Sequence, residues 1–208
     1  MSNFSDSYSS RAQKCCLHVF DLATRQSTTL ARFDRVIEAP MWTPDGKALM
    51  YNSLGLIYRY DLETGEITRV NTGNVLYCNN DHVLSPDGTA IAVSGNVEDC
   101  FESKIYIVDF ATGKEKEIVG TPWSYLHGWS PDKKSLAYCA GRMVGAQMEW
   151  DVYTCPAEGG PERRLTDAPG LNDGCEYSSD GKTIWFNSVR TGLMQAWKMS
   201  ADGSGQSQ

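Results

Sequence analysis

A turn motif recurs along this chain at near-constant spacing. It reads Trp42-Thr43-Pro44-Asp45-Gly46, Leu84-Ser85-Pro86-Asp87-Gly88, Trp129-Ser130-Pro131-Asp132-Lys133 and Tyr177-Ser178-Ser179-Asp180-Gly181. From Pro44 through Pro86 and Pro131 to Ser179 the steps are 42, 45 and 48 residues. A period of this size means a repeat architecture, whose units bury their apolar faces against one another. Pro presets φ for the first central position of a turn, Asp suits the second, and Gly supplies the left-handed residue that closes a hairpin. Lys133 stands where Gly is expected and Ser179 where Pro is expected, each at a modest cost in turn energy.

Apolar, β-prone residues flank every turn, as in Ala48-Leu49-Met50-Tyr51 and Ala90-Ile91-Ala92-Val93. Each repeat therefore holds a hairpin of strands A and B. A strand C follows, as in Ile57 to Asp61 and Ile105 to Asp109, leading into Glu63-Thr64-Gly65 and Ala111-Thr112-Gly113. A short polar strand D completes the unit, as in Ile67 to Val70 and Lys116 to Val119. Four antiparallel strands in about 40–45 residues predict an all-β fold, a β-propeller of four-stranded antiparallel blades. No stretch shows sustained helical spacing of apolar residues, so helix should be scarce.

Net charge is −7, from 19 basic and 26 acidic residues, which argues against a nucleic-acid-binding surface. No apolar run is long enough for a membrane-spanning helix, and no membrane insertion is expected. The first ten residues carry neither a basic n-region nor an apolar h-region, so no secretory signal is visible. Seven cysteines at scattered positions make a poor disulfide framework and offer no CxxC metal pair. Reduced, mostly buried thiols in a cytoplasmic protein are the expectation.

The WSPDGK-type turn and the following IYxxDxxTG-type strand resemble the WD-like repeat of the TolB family, from residue 14 to about 203. Cys78-Asn79-Asn80-Asp81-His82, Leu126-His127-Gly128-Trp129 and Phe186-Asn187-Ser188-Val189-Arg190 are similar to short, stand-alone TolB-like proteins. TolB itself is a periplasmic component of the Tol–Pal system, with a signal peptide and an α/β domain before its propeller. The resemblance thus implies a propeller scaffold and makes the periplasm the alternative location. The same repeats occur in prolyl-oligopeptidase-type peptidases, which need a hydrolase domain, and no G-x-S-x-G nucleophile elbow is found here. They also occur in oligogalacturonate lyases, where channel histidines hold a metal.

Strand A lies innermost in a propeller, and its N-terminal end opens near the central channel. Glu38, Asn79, Asn80, Asp81, His82, His127, Asn172 and Asp173 fall at matching places before the turns and are the channel or ligand-binding candidates. They either line a water-filled channel and cap strand ends or converge on a ligand. No residue is assigned as catalytic and no cofactor is expected. The reading is a non-catalytic scaffold that binds a protein, peptide or other ligand. Its alternative is a channel-centred carbohydrate-active enzyme resembling oligogalacturonate lyase, in which His82 and His127 would hold the metal. His18 reads as surface or packing, and Asp21, Asp61 and Asp109 as turn-capping carboxylates.

The units divide the chain into a disordered polar tail (1–13), a half blade (14–33), blades at 34–71, 72–120, 121–167 and 168–203, and a tail (204–208). That is about four blades of a ring that the family usually closes with six, so a shortened member folded as an open arc is expected. Its open blade edges would invite self-association.

Overall fold

The computed structural model describes residues 14–208, and the tail expected at 1–13 lies outside them. The described residues contain strands and turns and no helix. Five antiparallel sheets follow one another along the chain. The first pairs β1 (Cys15–Asp21) with β2 (Gln26–Phe33). The second holds β3 (Glu38–Trp42), β4 (Ala48–Ser53), β5 (Leu56–Asp61) and β6 (Ile67–Arg69). The third holds β7 (His82–Leu84), β8 (Ala90–Gly95), β9 (Lys104–Asp109) and β10 (Glu115–Val119). The fourth holds β11 (Ser124–Trp129), β12 (Ser135–Val144), β13 (Gln147–Pro156) and β14 (Arg163–Arg164). The fifth holds β15 (Asn172–Tyr177), β16 (Thr183–Ser188) and β17 (Gln195–Ser200). Within each sheet the strands pair in chain order, the meander of a propeller blade.

The recurring turn uses more than Pro, Asp and Gly. The hydroxyl residue before the Pro position donates to the turn aspartate: Thr43 to Asp45 at 2.6 Å, and Ser85, Ser130 and Ser178 to Asp87, Asp132 and Asp180 at 2.7 Å. The same hydroxyl accepts the amide that opens strand B, at 2.9–3.0 Å in all four turns. Lys133 adopts the left-handed φ of 65° that Gly46, Gly88 and Gly181 adopt in the other turns. Its ammonium reaches back to Asp87 of the preceding sheet at 2.5 Å, and its carbonyl accepts the Trp129 indole N–H at 3.1 Å. The second turn class is capped as expected. Asp21, Asp61 and Asp109 each accept backbone amides two or three residues ahead.

The core lies between sheets. Ile91, Val93 and Val108 of the third sheet pack on Met50 and Ile57 of the second, and Leu126, Leu136 and Tyr138 of the fourth pack on Ala92 and Ile105 of the third. Strand C aromatics stack on their strand B partners inside a sheet: Tyr58 on Tyr51 at 5.6 Å and Tyr153 on Tyr138 at 5.9 Å. Arg35 covers the Tyr58 ring, Arg142 the Tyr153 ring and Arg190 the Trp197 ring, so one cation–π cap recurs in three sheets.

A second device ties sheets together. The fifth residue of strand B is Asn52, Ser94, Cys139 or Asn187. Asn52 donates to the Cys78 and Asn79 carbonyls, Ser94 accepts the Leu126 amide at 2.6 Å, and Cys139 donates to the Asn172 carbonyl at 3.0 Å. Each bond pins the start of the next strand A. The segment after β17 is held as well: Ser207 and Lys198 exchange backbone bonds, and Gln206 accepts from Arg190 at 2.6 Å. Residues 204–208, expected as a tail, thus run along the β17 edge.

Candidate functional site

The meander fixes which end of the molecule carries the site. A–B and C–D turns lie at one end of the strands, so B–C connections and the starts of strand A lie at the other. β11 touches both β7 and β15, which sets these first strands side by side at the inner edge of their sheets. At the outer rung of strand A, Glu38 pairs with Asn52, Tyr125 with Cys139 and Asp173 with Asn187. Asp81 takes that rung in the third sheet, where its carbonyl accepts the Ser94 amide at 2.9 Å. Glu38, Asp81, Tyr125 and Asp173 therefore form one ring-wise layer from four sheets.

Below that layer strand A is irregular. The ladder slips between Glu38 and Met41, between Leu126 and Gly128, and between Asp173 and Glu176. Such bulges re-aim side chains and are frequent beside functional sites. In β11 the extra residue is His127. Its Nε2 lies 2.8 Å from Asp173 Oδ1, which also accepts the Gly174 amide at 2.8 Å. Glycine at 174 has φ 63°, the left-handed conformation that the β15 bulge needs. Gly128 permits close approach of β15: a Cβ there would sit 3.0 Å from the Cys175 carbonyl oxygen.

The charges are strongly coupled. Burial opposes a charge on His127, but the Asp173 bond and the nearby Asp81, Asp173 and Glu176 carboxylates outweigh it and raise its pKa. Asp173 is lowered by its bond to His127, against burial. Asp81 is pushed up to about 6 by burial, with His127 and the 2.9 Å bond from Asn79 pulling it back. Glu176 also rises to about 6; it is exposed to water, yet enough protein surrounds it to penalise its charge, and His127 opposes the shift. Tyr125 is raised by burial and by the charge of Asp81. The site is thus an acidic mouth built around one imidazole, with the Asp81 and Glu176 carboxyls lifted to about 6.

The structure brings together Asp81, His127 and Asp173 of the expected residues, with Glu38 close enough for its charge to reach Asp81. Asn79 supports Asp81 by accepting its amide at 2.8 Å and donating to its carboxylate. Asn80 is exposed and offers its carbonyl to His82 Nδ1 at 3.2 Å. His82 itself is not in the mouth. It is buried with the Met50 carbonyl nearby, its Nε2 lacks a well-formed hydrogen bond, and burial lowers its pKa to about 4. His82 and His127, which the carbohydrate-active alternative would set on one metal, therefore lie in different surroundings. Asn172 is fully buried and works as a staple: its amide donates to the Trp150 and Ala168 carbonyls, and its oxygen accepts from Ser188 and Arg190. Glu176 and Tyr125 were not legible as site residues in the sequence. Among the described residues no three His, Cys, Asp or Glu side chains are arranged to hold a metal ion.

A comparison with protein-family models finds no match. Atu1656, an uncharacterized protein of Agrobacterium fabrum, is 42% identical over 195 residues, covering 93% of this chain and 64% of its own length. A solved structure assigned to TolB from Agrobacterium tumefaciens is 41% identical, with a TM-score of 0.85 over 93% of this chain and 68% of that one. The chain belongs to the TolB-like propeller family. The Tol-Pal system protein TolB of Francisella tularensis is 29% identical over 164 residues, 76% of this TolB-like chain and 36% of the relative. The chain therefore spans 64% and 36% of these two curated relatives. An oligogalacturonate lyase in complex with manganese shares the fold at a TM-score of 0.65 but only 16% identity. That likeness reaches the fold alone.

Proposed function

We propose that this TolB-like propeller is a non-catalytic binding module whose contact surface is the strand-A end of the channel. The observation that carries the reading is the convergence of Asp81, His127, Asp173 and Glu176 from three neighbouring sheets onto one mouth. Three carboxylates surround one imidazole, an arrangement suited to accepting hydrogen bonds and positive charge from a protein or peptide. The likeness to a Tol-Pal system protein supports interaction with another protein. All seven cysteines are free thiols, which supports a reducing compartment, whereas the resemblance to TolB supports the periplasm; cell fractionation decides between them.

The carbohydrate-active alternative needs two channel histidines, and His82 faces the second sheet instead. Photo-crosslinking from a probe amino acid at Asn80, in the host cell, tests the binding reading. The expected result is a discrete protein adduct that disappears in an Asp173→Lys variant. Release of unsaturated products from polygalacturonate by the purified protein, with no adduct, would overturn it.

A further inference from the structure

The channel end of the fourth sheet carries an apolar surface that the acidic mouth does not account for. β12 and β13 are 10 residues each, against 6 in the corresponding strands β4, β5, β8, β9, β16 and β17. Their hairpin therefore projects about 13 Å past its neighbours at roughly 3.3 Å per residue. By the meander it projects from the end at which the channel opens. Its tip, residues 143–148, bears no charge and exposes Met143 (61%), Val144 (41%) and Met148 (43%).

The hairpin is held at its base, not loose. Arg142 donates to both Glu162 oxygens and to the Pro122 carbonyl, and Glu149 pairs with Arg164, so the two charges flanking the tip are consumed below it. The Trp150 ring lies over Gly141, where a Cβ would come within 3.1 Å of it. Trp123 meets Trp150 edge-on at 6.5 Å, and Tyr125 lies 5.9 Å from the same ring. Trp123 is 36% exposed and holds a left-handed φ of 61°, a genuine outlier for a bulky side chain. The Gly141 amide donates to the Trp123 carbonyl at 3.0 Å, which fixes it there. Apolar surface thus runs from the hairpin tip across Trp123 and Trp150 to Tyr125, and Tyr125 feels the charge of Asp81 in the mouth.

We propose that this hairpin and the acidic mouth together dock a segment of another protein in which lysine or arginine is flanked by apolar residues. The inference rests on the reading of the channel end as a binding surface and adds the partner's chemistry. Charge complementarity selects the occupant. Asp81, Asp173 and Glu176 face one imidazole and Glu38 lies within charge range of Asp81, so a cation is favoured there and an anionic membrane or nucleic acid is not. Aromatic faces beside carboxylates suit an Arg or Lys side chain, by cation–π attraction and ion pairing at once. The exposed methionines supply an adaptable apolar contact for its neighbours.

Fluorescence anisotropy with a labelled peptide of alternating arginine and leucine tests the proposal, beside a counterpart with glutamate for arginine. The arginine peptide should bind and weaken as salt rises, while the glutamate peptide should not bind. A Met143→Ser, Val144→Ser, Met148→Ser variant should lose about tenfold in affinity, as removal of an apolar anchor does. Its melting temperature should match the wild type, because the tip contributes nothing to the core. If that variant binds as the wild type does while an Asp81→Asn, Glu176→Gln variant loses binding, the hairpin is overturned as a docking surface and the channel reading stands. If neither variant changes binding, or the glutamate peptide binds equally, both fail.

Discussion

Replacing Asp81 by Asn should stabilise this protein, and by an amount that depends on pH. Burial lifts the Asp81 carboxyl from 3.8 to about 6, despite the pull of His127 and Asn79. At about 1.4 kcal/mol per pH unit, that penalises the ionised form by up to about 3 kcal/mol. Water at the mouth screens part of this, leaving on the order of 1–2 kcal/mol. The folded value lies above the unfolded one, so the native state binds this proton more tightly. Stability is then fullest below the unfolded pKa and falls as pH rises through about 6. Asn cannot ionise, and its side-chain oxygen can still accept the Asn79 amide that Asp81 accepts at 2.9 Å. Urea denaturation followed by tryptophan fluorescence, from about pH 4 to about pH 8, measures the difference. The variant's advantage should be small at about pH 4 and full, at about 1–2 kcal/mol, by about pH 7. A variant no more stable than the wild type at neutral pH, or an advantage constant across the range, would refute the reading that burial at the mouth penalises the Asp81 charge.

Other substitutions probe the supports of the site. Asp173→Asn should lower the His127 pKa, read by NMR titration of the imidazole, because it removes one of the carboxylates that hold the charge; an unchanged titration would break the pair. Asn172→Ala should cost about 3 kcal/mol in urea denaturation, since it leaves buried partners in the fourth and fifth sheets unpaired. A loss below about 1 kcal/mol would contradict the staple. Gly95→Ala should cost about 2 kcal/mol, because its Cβ would fall 2.9 Å from the backbone of Tyr77 and Cys78, which cannot yield as a side chain can. Iodoacetamide should label Cys78, Cys139, Cys155 and Cys175 only after unfolding, as all are buried and burial pushes their thiols well above the usual range. Rapid native labelling of any of them, mapped by mass spectrometry, would show that its sheet opens locally.

The repeat made the fold legible, since the turn chemistry and the strand lengths agree across every unit. It also made one part of the site misleading. His82 and His127 both stand four residues before the turn proline, Pro86 or Pro131, and on spacing alone they are equivalent. In space they are not. His82 pairs with Val93 in a regular ladder, whereas the partner of the equivalent Tyr138 is Leu126. His127 is the extra residue of the β11 bulge, between Leu126 and Gly128, so it has no counterpart in β7. Leu126 is fully buried in the slot that His82 occupies one sheet earlier, and His127 is turned toward Asp173. A one-residue slip reverses the face a strand residue presents, and a bulge confines that reversal to one place. Gly128 and Gly174 are the traces it leaves in the sequence, because a glycine inside a strand marks a bulge or a close approach. Glu176 lies outside the layer that spacing singles out because it stands three residues before the turn, on the regular rung that Met41, Val83 and Gly128 occupy in the other sheets. Spacing brings Glu38, Asp81 and Asp173 to within one residue of a common level, and the slips in β3 and β15 set Glu38 and Asp173 on the rung that Asp81 reaches in a regular strand.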